Sequence, residues 1–245
     1  MNRREMLRVT SAAVAGASMM GLNAFAATET PHKKKVLVIG AHPDDPETGC
    51  GGTMLWLKEA GCEVVAVYMT KGEGGISGKT HSEAVAIRVP EAQKACEILG
   101  VRPVFLSQID GHSEVNKERY QEMRDVIAAE NPDVVLTHWP IDSHPDHRVC
   151  SLLVYDAWRR LGHFELFYFE VMSGVQTQLF HPTDWVDISK VAEQKRAACY
   201  CHVSQAMPEL YEGYHDPMEV FRGLEARCKR AEAFVHLRRT GNDLL

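Results

Sequence analysis

Residues 35–45 read KVLVIGAHPDD, a run of apolar residues that ends in a histidine, a proline and two aspartates. Roughly a hundred residues later, residues 134–147 read VVLTHWPIDSHPDH and repeat the order of an apolar run followed by histidine and aspartate. Short apolar runs rich in valine and isoleucine predict buried strands. In a parallel sheet covered by helices, ligands bind at the carboxyl ends of the strands. We therefore expect the two polar clusters to meet at one site.

Strand and helix patterns alternate along the chain. Strands are predicted over residues 35–41, 63–70, 103–107, 133–138 and 166–172, and helices over 54–60, 83–99, 117–130, 147–161, 189–199 and 219–237. This alternation favours the α/β class, with a mostly parallel sheet flanked by helices. Pro90 should either kink its helix or make that helix begin near Val89. No repeat or linker divides the chain, so we expect one domain.

The start of the chain has the features of an export signal. Two adjacent arginines, Arg3 and Arg4, precede an apolar stretch of small residues that ends in Ala24-Phe25-Ala26. The ending is typical of a signal-peptidase site, and the arginine pair resembles a twin-arginine signal. We expect a signal peptide over residues 1–26, a folded domain over 27–245 and a periplasmic or extracellular protein. An ordinary secretory signal, or an amphipathic start of the folded domain, is the alternative.

Composition argues against several classes of partner. The chain carries a net charge of −6, and loss of the predicted leader would make it more negative, so nucleic acid is not expected to bind. No stretch is a convincing membrane span, so we expect no stable membrane insertion once the signal is removed. Seven cysteines leave at least one thiol unpaired. Most of them lie in apolar patterns, and we interpret them as structural.

Histidine and aspartate together suit a metal-dependent hydrolase. Zinc with three protein ligands keeps one position for water and lowers the pKa of that water to about 7, so that a nearby carboxylate can take its proton. Asp44 and Asp45 point in different directions if the segment is extended, which allows one to bind metal while the other stays free. His144 and His147 lie one turn apart if a helix starts at Pro145. The alternative is that each His-Pro-Asp is only a turn, but both motifs follow predicted strands.

The two motifs resemble those of a known family. Residues 41–47, AHPDDPE, followed by GCGGT at 49–53, and HPDH at 144–147 are similar to the signatures of the PIG-L/LmbE deacetylases. Weaker similarities occur at Asp110-Gly111, at Lys195 with His202-x-Ser204-Gln205, and at Ala231-Glu232-Ala233-Phe234. The resemblance implies a single Rossmann-like domain and a zinc-dependent hydrolase. Such an enzyme would remove an N-acyl group, mostly acetyl, from an amino sugar or a related conjugate.

The resemblance also implies roles for the residues of the two motifs. His42, Asp45 and His147 would be the metal ligands, with Zn²⁺ as the metal and Fe²⁺, Co²⁺ or Mn²⁺ as alternatives. Asp44 would be the general base. His144 would be the general acid or would stabilise the oxyanion.

Further residues are candidates with open alternatives. Asp146 would orient a histidine. Arg88 and Asp110 would contact the substrate, but Arg88 could equally be a solvated partner of Glu91, and Asp110 could be a turn residue. Three more polar residues could face the cleft or be structural: His138, Asp142 and His202.

Other functions are weaker alternatives. Residues 73–80, EGGISGKT, nearly match a phosphate-binding loop, but Glu73 stands where that motif needs glycine. We expect instead a flexible loop beside the metal cleft. A metal- or sugar-binding protein without catalysis is a second alternative. A deacetylase of a thiol glycoside pathway is a third, which the export signal disfavours. The expected partner is therefore a small-molecule or glycan substrate, and no oligomeric state is predicted.

Overall fold

The computed structural model describes residues 33–238. Its strands are β1 Lys35–Gly40, β2 Glu63–Tyr68, β3 Arg102–Phe105, β4 Val134–His138, β5 Glu165–Phe169, β6 Asp184–Asp187 and β7 Ala231–Leu237. Its α-helices are α1 Asp45–Glu59, α2 His81–Leu99, α3 Lys117–Glu130, α4 Pro145–Leu161, α5 Ala192–Cys199, α6 Met207–Leu210 and α7 Asp216–Ala226. A 3₁₀ turn, Val203–Gln205, precedes α6, and a π-helical segment, Tyr211–His215, joins α6 to α7. The signal peptide predicted over residues 1–26 lies outside the described residues.

The strands form one sheet in the order β3-β2-β1-β4-β5-β7-β6. Strands β1 to β5 pair in parallel, whereas β7 runs antiparallel to both β5 and β6. Helices cover both faces of this sheet. The predicted α/β class, with a single Rossmann-like domain and a mostly parallel sheet, is confirmed.

Strand β1 is buried on both faces, which explains its continuous apolar run. Val36 and Val38 belong to the core that α1 and α2 cover, whereas Leu37 and Ile39 belong to the core beneath α3 and α4. Burying one such side chain contributes about 1.5–3 kcal/mol. The strand that leads to the first polar cluster is therefore held firmly between two apolar layers.

The order of the strands places the site. Strand β1 lies between β2 and β4, so the chain leaves β1 toward one edge of the sheet and later returns to β4 on its other side. The crevice at such a reversal is the usual ligand site of an open parallel sheet. The two His-Pro-Asp motifs follow β1 and β4, so both lie at this crevice.

Helix α1 starts at Asp45, earlier than the predicted residue 54. Glycine disfavours helix, and the glycine-rich start of α1 hid it from sequence analysis. Close packing explains the glycines: a Cβ at Gly49 would lie 2.5 Å from Phe169 Cδ2, and one at Gly52 would lie 2.4 Å from Ile188 Cγ2.

Helix α2 begins at His81, and the predicted alternative start near Val89 is wrong. A capping box stabilises the observed start, in which the Thr80 hydroxyl accepts from the Glu83 backbone and the Glu83 carboxylate accepts from the Thr80 backbone. Pro90 is accommodated inside the helix.

The helix predicted over residues 219–237 is wrong in its second half. Helix α7 ends at Ala226, Arg227 adopts a left-handed conformation, and residues 231–237 form β7. Strand β6 was not predicted, and the helix predicted from residue 189 begins at Ala192. The cause is tertiary packing: β7 is buried between β5 and β6, and its Glu232 is neutralised inside the protein rather than exposed on a helix. The other predicted elements match to within a few residues at their ends.

Two further findings concern the chain as a whole. Within residues 33–238, none of the helices combines the length and the apolar character needed to cross a bilayer. All seven cysteines are free thiols, and five of them are buried, which agrees with their interpretation as structural residues.

Candidate active site

The first motif forms a tight strand-to-helix turn rather than the extended segment expected. His42 follows β1, Asp44 precedes α1 with φ of 139°, and Asp45 is the first helical residue. A non-glycine residue at such a φ costs about 1–3 kcal/mol, and such strain is often found at functional sites. The two adjacent carboxylates point in different directions, Asp44 toward Arg88 and Asp45 toward His42 and His147. The cause is the turn, and not the alternation of side chains along an extended segment.

The structure brings together the three residues proposed as metal ligands. His42 Nδ1 lies 3.3 Å from Asp45 Oδ2, and His147 Nε2 lies 3.4 Å from Asp45 Oδ1. All three side chains are buried. Two ligands of a tetrahedral zinc ion, each about 2.0–2.2 Å from the metal, lie about 3.3–3.6 Å apart. Each of these two separations, one to either oxygen of Asp45, is of the size expected for a pair of ligands on one divalent cation.

Carboxylates contact the second ring nitrogen of both histidines. His42 Nε2 lies 3.1 Å from Asp146 Oδ2 and 3.2 Å from Asp110 Oδ1. His147 Nδ1 lies 3.3 Å from Asp142 Oδ1. Metal-binding histidines commonly have such a carboxylate partner, which fixes the ring and its tautomer. Asp146 has this position beside His42, and Asp142 occupies the equivalent place beside His147.

His138 joins the same cluster. Its ring stacks on that of His147 with centroids 4.0 Å apart, and its Nε2 lies 3.1 Å from Asp45 Oδ2. The Ala41 backbone N–H donates to the same Nε2 at 3.0 Å. Burial lowers the pKa of His138 to about 4, so the ring is neutral. Three groups of described residues bring possible ligand atoms within 4.8 Å of one another: His42, His144 and His147; His42, Asp110, His144 and Asp146; and Asp45, His138 and His147.

The cluster favours positive charge. Burial alone would lower the pKa of both His42 and His147, but the neighbouring carboxylates outweigh it: the pKa of His42 lies well above its usual range, and that of His147 is raised to about 9. The carboxylates that stabilise a proton on these histidines would equally stabilise a divalent cation at the same place. This charge balance, the donor types and the separations all fit a metal ion.

Asp44 stands beside the cluster and binds Arg88. Its Oδ2 accepts from Arg88 Nη2 at 3.0 Å. Burial raises the pKa of Asp44 to about 6, although the positive charge of Arg88 acts in the opposite direction. A general base works best when its pKa lies near the operating pH.

Arg88 and Asp110 both line the cleft. Arg88 is 2% exposed, donates to the Pro43 carbonyl at 2.7 Å and lies 3.7 Å from Asp110 Oδ2. The alternative of a solvated pair with Glu91 is wrong, because Glu91 binds Ser204 instead. Arg88 thus connects the candidate base to Asp110, and Asp110 connects in turn to His42.

His144 is half-buried at the start of α4. Its Nδ1 accepts from the Asp146 backbone N–H at 3.2 Å, which places the ring proton on Nε2 in the neutral form. Burial, together with the charges of His42 and His147, lowers the pKa of His144. A neutral imidazole with a free N–H suits donation to an oxygen on which negative charge develops.

Two buried networks hold α1 from behind the site. In the first, Glu47 Oε1 accepts from Tyr68 Oη at 2.6 Å and lies 3.1 Å from His202 Nε2. His202, whose role was open, is therefore a fully buried support that does not line the cavity. The second joins Lys195 Nζ to Glu219 and Glu232 at 2.8 Å each. Glu232 also accepts from two backbone N–H groups of α1.

A cavity of about 280 Å³ opens over the cluster. One part of it is lined by His42, Asp44, Asp45, His144 and His147 of the two motifs, by Thr48, Arg88 and Asp110, and by Gly74 and Gly75 from the loop expected beside the cleft. Gln205, from the weak similarity at residues 202–205, also lines the cavity. The rest of the lining comes from positions that the sequence did not single out as functional: Val171, Met172, Gln176, Met207, Leu210 and His215.

Fold and site together define an α/β protein with a candidate metal site where the strand order reverses. A profile described as PIG-L, GlcNAc-PI de-N-acetylase, matches residues 37–158. Diacetylchitobiose deacetylase of Thermococcus kodakarensis is 33% identical over 217 residues, covering 81% of each chain. The chain belongs to the PIG-L/LmbE family.

Solved structures agree with this assignment. N,N'-diacetylchitobiose deacetylase from Pyrococcus horikoshii, in complex with its inhibitor MPG, superposes with a TM-score of 0.74 at 27% identity, covering 86% of this chain and 89% of that one. GalB, the 4-carboxy-2-hydroxymuconate hydratase from Pseudomonas putida, gives a TM-score of 0.75 at 25% identity, covering 86% of this chain and 100% of that one. One fold thus serves proteins named for two different reactions.

Proposed function

We propose that this protein is a metal-dependent N-deacetylase that removes an N-acetyl group from an amino sugar or glycoconjugate. The observation that carries the proposal is Asp44, a partly buried carboxylate that lines the cavity and whose pKa is raised to about 6, next to a cluster of histidine and aspartate groups that could hold a divalent cation. The 33% identical relative is named as a diacetylchitobiose deacetylase, which supports the amide of an N-acetyl sugar as the target.

In this proposal His42, Asp45 and His147 hold the metal, for which we propose zinc. Imidazole and carboxylate ligands also accept iron, cobalt or manganese as divalent ions. When bound, the cation supplies Lewis acidity, which polarises the amide carbonyl and lowers the pKa of water. The carboxylates of Asp142 and Asp146 hold the two imidazole rings in place.

Asp44 accepts the proton of the attacking water while the water oxygen bonds to the carbonyl carbon. The ion pair with Arg88 at 3.0 Å keeps the carboxylate in position and ionised. His144 donates its Nε2–H to the carbonyl oxygen as negative charge develops there. The carbon–nitrogen bond then breaks, and the amine nitrogen takes a proton from Asp44 or His144. Acetate and the free amino sugar leave.

Asp44→Asn tests the proposal most simply. We expect it to lower kcat/KM for deacetylation of N,N'-diacetylchitobiose by about 10²-fold or more, because an amide cannot accept the proton. Metal content, measured by elemental analysis, should not change, since Asp44 is not a proposed ligand. Asp125→Asn, on the exposed face of α3, is the matched control. A variant at residue 44 with the activity of the wild type would refute the role of Asp44.

Parallel assays separate the rival functions. Hydration of 4-carboxy-2-hydroxymuconate by the wild type, with no release of amine from N-acetylated sugars, would replace the deacetylase with a hydratase like GalB. Sugar binding without turnover of either compound would instead favour a binding protein.

We further propose that the protein acts outside the cytoplasm. The support is the signal-like sequence of residues 1–26. Expression of the full chain in a bacterium should give an exported product that begins at Ala27, and the double variant Arg3→Lys with Arg4→Lys should keep the precursor in the cytoplasm. A wild-type product that stays in the cytoplasm with its first 26 residues intact would contradict export.

A further inference from the structure

Among the polar side chains that line the cavity but have no part in the proposed reaction, two have a buried atom without a partner among the described residues. Gln176 and His215 both line it, and the buried atoms Gln176 Oε1 and His215 Nδ1 have no hydrogen-bond partner within the described part of the chain. His215 is 2% exposed. Buried polar atoms are nearly always paired, so each exception requires an explanation, and a ligand that completes the pairing is one.

Gln176 is fixed in place by its backbone. Its N–H donates to the Met172 carbonyl at 2.9 Å, and its carbonyl accepts from the Ser143 N–H at 3.0 Å. Ser143 is the neighbour of His144. The loop after β5 therefore fixes the backbone of Gln176 relative to the segment that carries the proposed catalytic histidine.

His215 is held equally firmly at the end of the π-helical segment. Tyr211 at the start of that segment donates to Glu219 Oε1 at 2.6 Å, and Asp216 pairs with Arg196 at 2.8 Å and with Arg230 at 2.6 Å. Burial lowers the pKa of His215 to about 3, so the ring is a neutral group with one donor and one acceptor nitrogen. π-Helical turns inside helices frequently occur at functional sites.

The other residues that line the cavity indicate what kind of ligand Gln176 and His215 would contact. Their neighbours Val171, Met172, Met207 and Leu210 are apolar. Gln205 is already used, since its amide donates to the Gly75 carbonyl at 3.2 Å. An amide and a neutral imidazole on an apolar surface suit the hydroxyl groups and the apolar C–H face of a sugar ring.

Charge further restricts the substrate. Of the described residues that line the cavity, Arg88 alone is a lysine or arginine, and its guanidinium is engaged by Asp44 and the Pro43 carbonyl. Asp44, Asp45 and Asp110 add negative charge. The imidazoles of His42 and His147 are engaged by carboxylates, so the described cavity has no lysine or arginine free to pair with a carboxylate or a phosphate on the substrate.

We propose that Gln176 and His215 bind hydroxyl groups of an uncharged sugar, and that this pair makes the enzyme prefer neutral N-acetylglucosamine glycosides over conjugates that carry carboxylate or phosphate. This inference rests on the proposed deacetylase function and adds the substrate class. It assigns the two residues as positioning groups that do not take part in proton transfer.

The first test compares substrates that differ in charge more than in shape. N-acetylglucosaminyl malate and its dimethyl ester form such a pair, with methyl N-acetylglucosaminide as the simple neutral compound. We expect the metal-loaded wild type to deacetylate the ester with a kcat/KM at least about tenfold above that of the malate. Equal values, or a preference for the malate, would overturn the proposal while leaving the deacetylase function intact.

The second test changes the two residues. His215→Phe and Gln176→Met remove the hydrogen-bonding atoms but keep much of the side-chain volume, and each should raise KM for methyl N-acetylglucosaminide about tenfold with kcat little changed. The Tm should not fall, because an unpaired polar atom is replaced by an apolar one. His215→Asn should restore part of the affinity. An unchanged KM, or a loss of kcat and Tm together, would overturn the assignment.

Calorimetry measures sugar binding without turnover, so it tests the roles of Gln176 and His215 even if the proposed deacetylase function fails. If the wild type releases no amine from any of these sugars, the deacetylase proposal fails, and titration with methyl N-acetylglucosaminide still decides the second point. Weaker binding by His215→Phe and Gln176→Met than by the wild type supports the sugar-binding pair. Equal binding, or no binding to any of the three proteins, refutes it.

Discussion

Asp44 combines three properties that seldom coincide in one side chain. It has a positive φ, it is partly buried, and its pKa is raised to about 6. Each property costs folding free energy, and a strained residue persists only where its surroundings hold it. Here Arg88 provides part of that support through the ion pair at 3.0 Å. The cost has a simple explanation if Asp44 is the base of the reaction.

The pKa of Asp44 predicts a pH dependence. The base must be ionised, so kcat/KM should fall as the pH drops through about 6 or lower, since a bound cation would lower this pKa further. Arg88→Gln removes the charge that lowers the pKa of Asp44, so the acid limb of the profile should move to higher pH. A pH–rate profile of both proteins measures the shift. An unchanged acid limb would mean that a group other than Asp44 controls it.

His147 makes a second prediction, about metal binding. Its pKa is raised to about 9 without metal, so at pH 7 the ring is protonated and must lose that proton to become a ligand. Zinc binding should therefore release protons, and the apparent affinity should weaken as the pH falls from 9 to 6. Calorimetry in two buffers with different ionisation enthalpies counts the protons. Metal binding at pH 7 without proton release would contradict His147 as a ligand.

Among the elements, helix α1 shows that tertiary packing can outweigh the low helix propensity of glycine. Gly49 and Gly52 weaken the helix in isolation, yet they let it approach β5 and Ile188 closely. The same helix starts at Asp45 and so carries one of the proposed ligands. Its position in the protein therefore determines the geometry of the site.

Gly52→Ala should destabilise the protein by about 1–3 kcal/mol, because the added Cβ would lie 2.4 Å from Ile188 Cγ2 and overpack the core. Gly213→Ala is the matched control, since nothing lies within 4 Å of a Cβ there, and it should be neutral or slightly stabilising. Chemical denaturation measures both. Equal stability of the two variants would contradict close packing as the reason for Gly52.

Lys195 connects α5 with α7 and β7 through two buried carboxylates, each 2.8 Å away. Lys195→Met leaves Glu232 without its cation and Glu219 with only the longer contact to Arg230 at 3.5 Å, and breaking a buried ion network in this way costs about 3–5 kcal/mol. We expect a loss of that size in the free energy of unfolding. Lys190→Met, on the surface before α5, is the control. A loss below about 1 kcal/mol would show that the network does not stabilise the fold.

For the whole molecule, the parallel part of the sheet could be predicted from sequence because apolar runs of strand type alternate there with segments of helix type. The meeting of the two motifs followed from the same pattern. The C-terminal part could not be predicted in this way. Glu232 in β7 and Lys195 in α5 are charged residues inside the protein, and nothing local indicates that they neutralise each other across the fold.

The candidate site likewise has residues that could be predicted from the sequence and residues that could not. Residues within the two motifs could be proposed from histidine and aspartate at the ends of strands. Gln176 and His215 could not, since each is a single polar residue in a segment without periodicity, and only the folded chain brings them to the cavity. Arg88 was left open between two environments, and its contact with Asp44 depends on the turn before α1, which the sequence did not reveal.

The central claim is that His42, Asp45 and His147 bind one divalent cation. Anomalous diffraction at the zinc edge, from crystals of zinc-loaded protein, tests it most directly. We predict one strong peak about 2.0–2.2 Å from His42 Nδ1, from a carboxylate oxygen of Asp45 and from His147 Nε2. A peak bound instead by Asp110 and Asp146, or no peak near these three residues, would contradict the account.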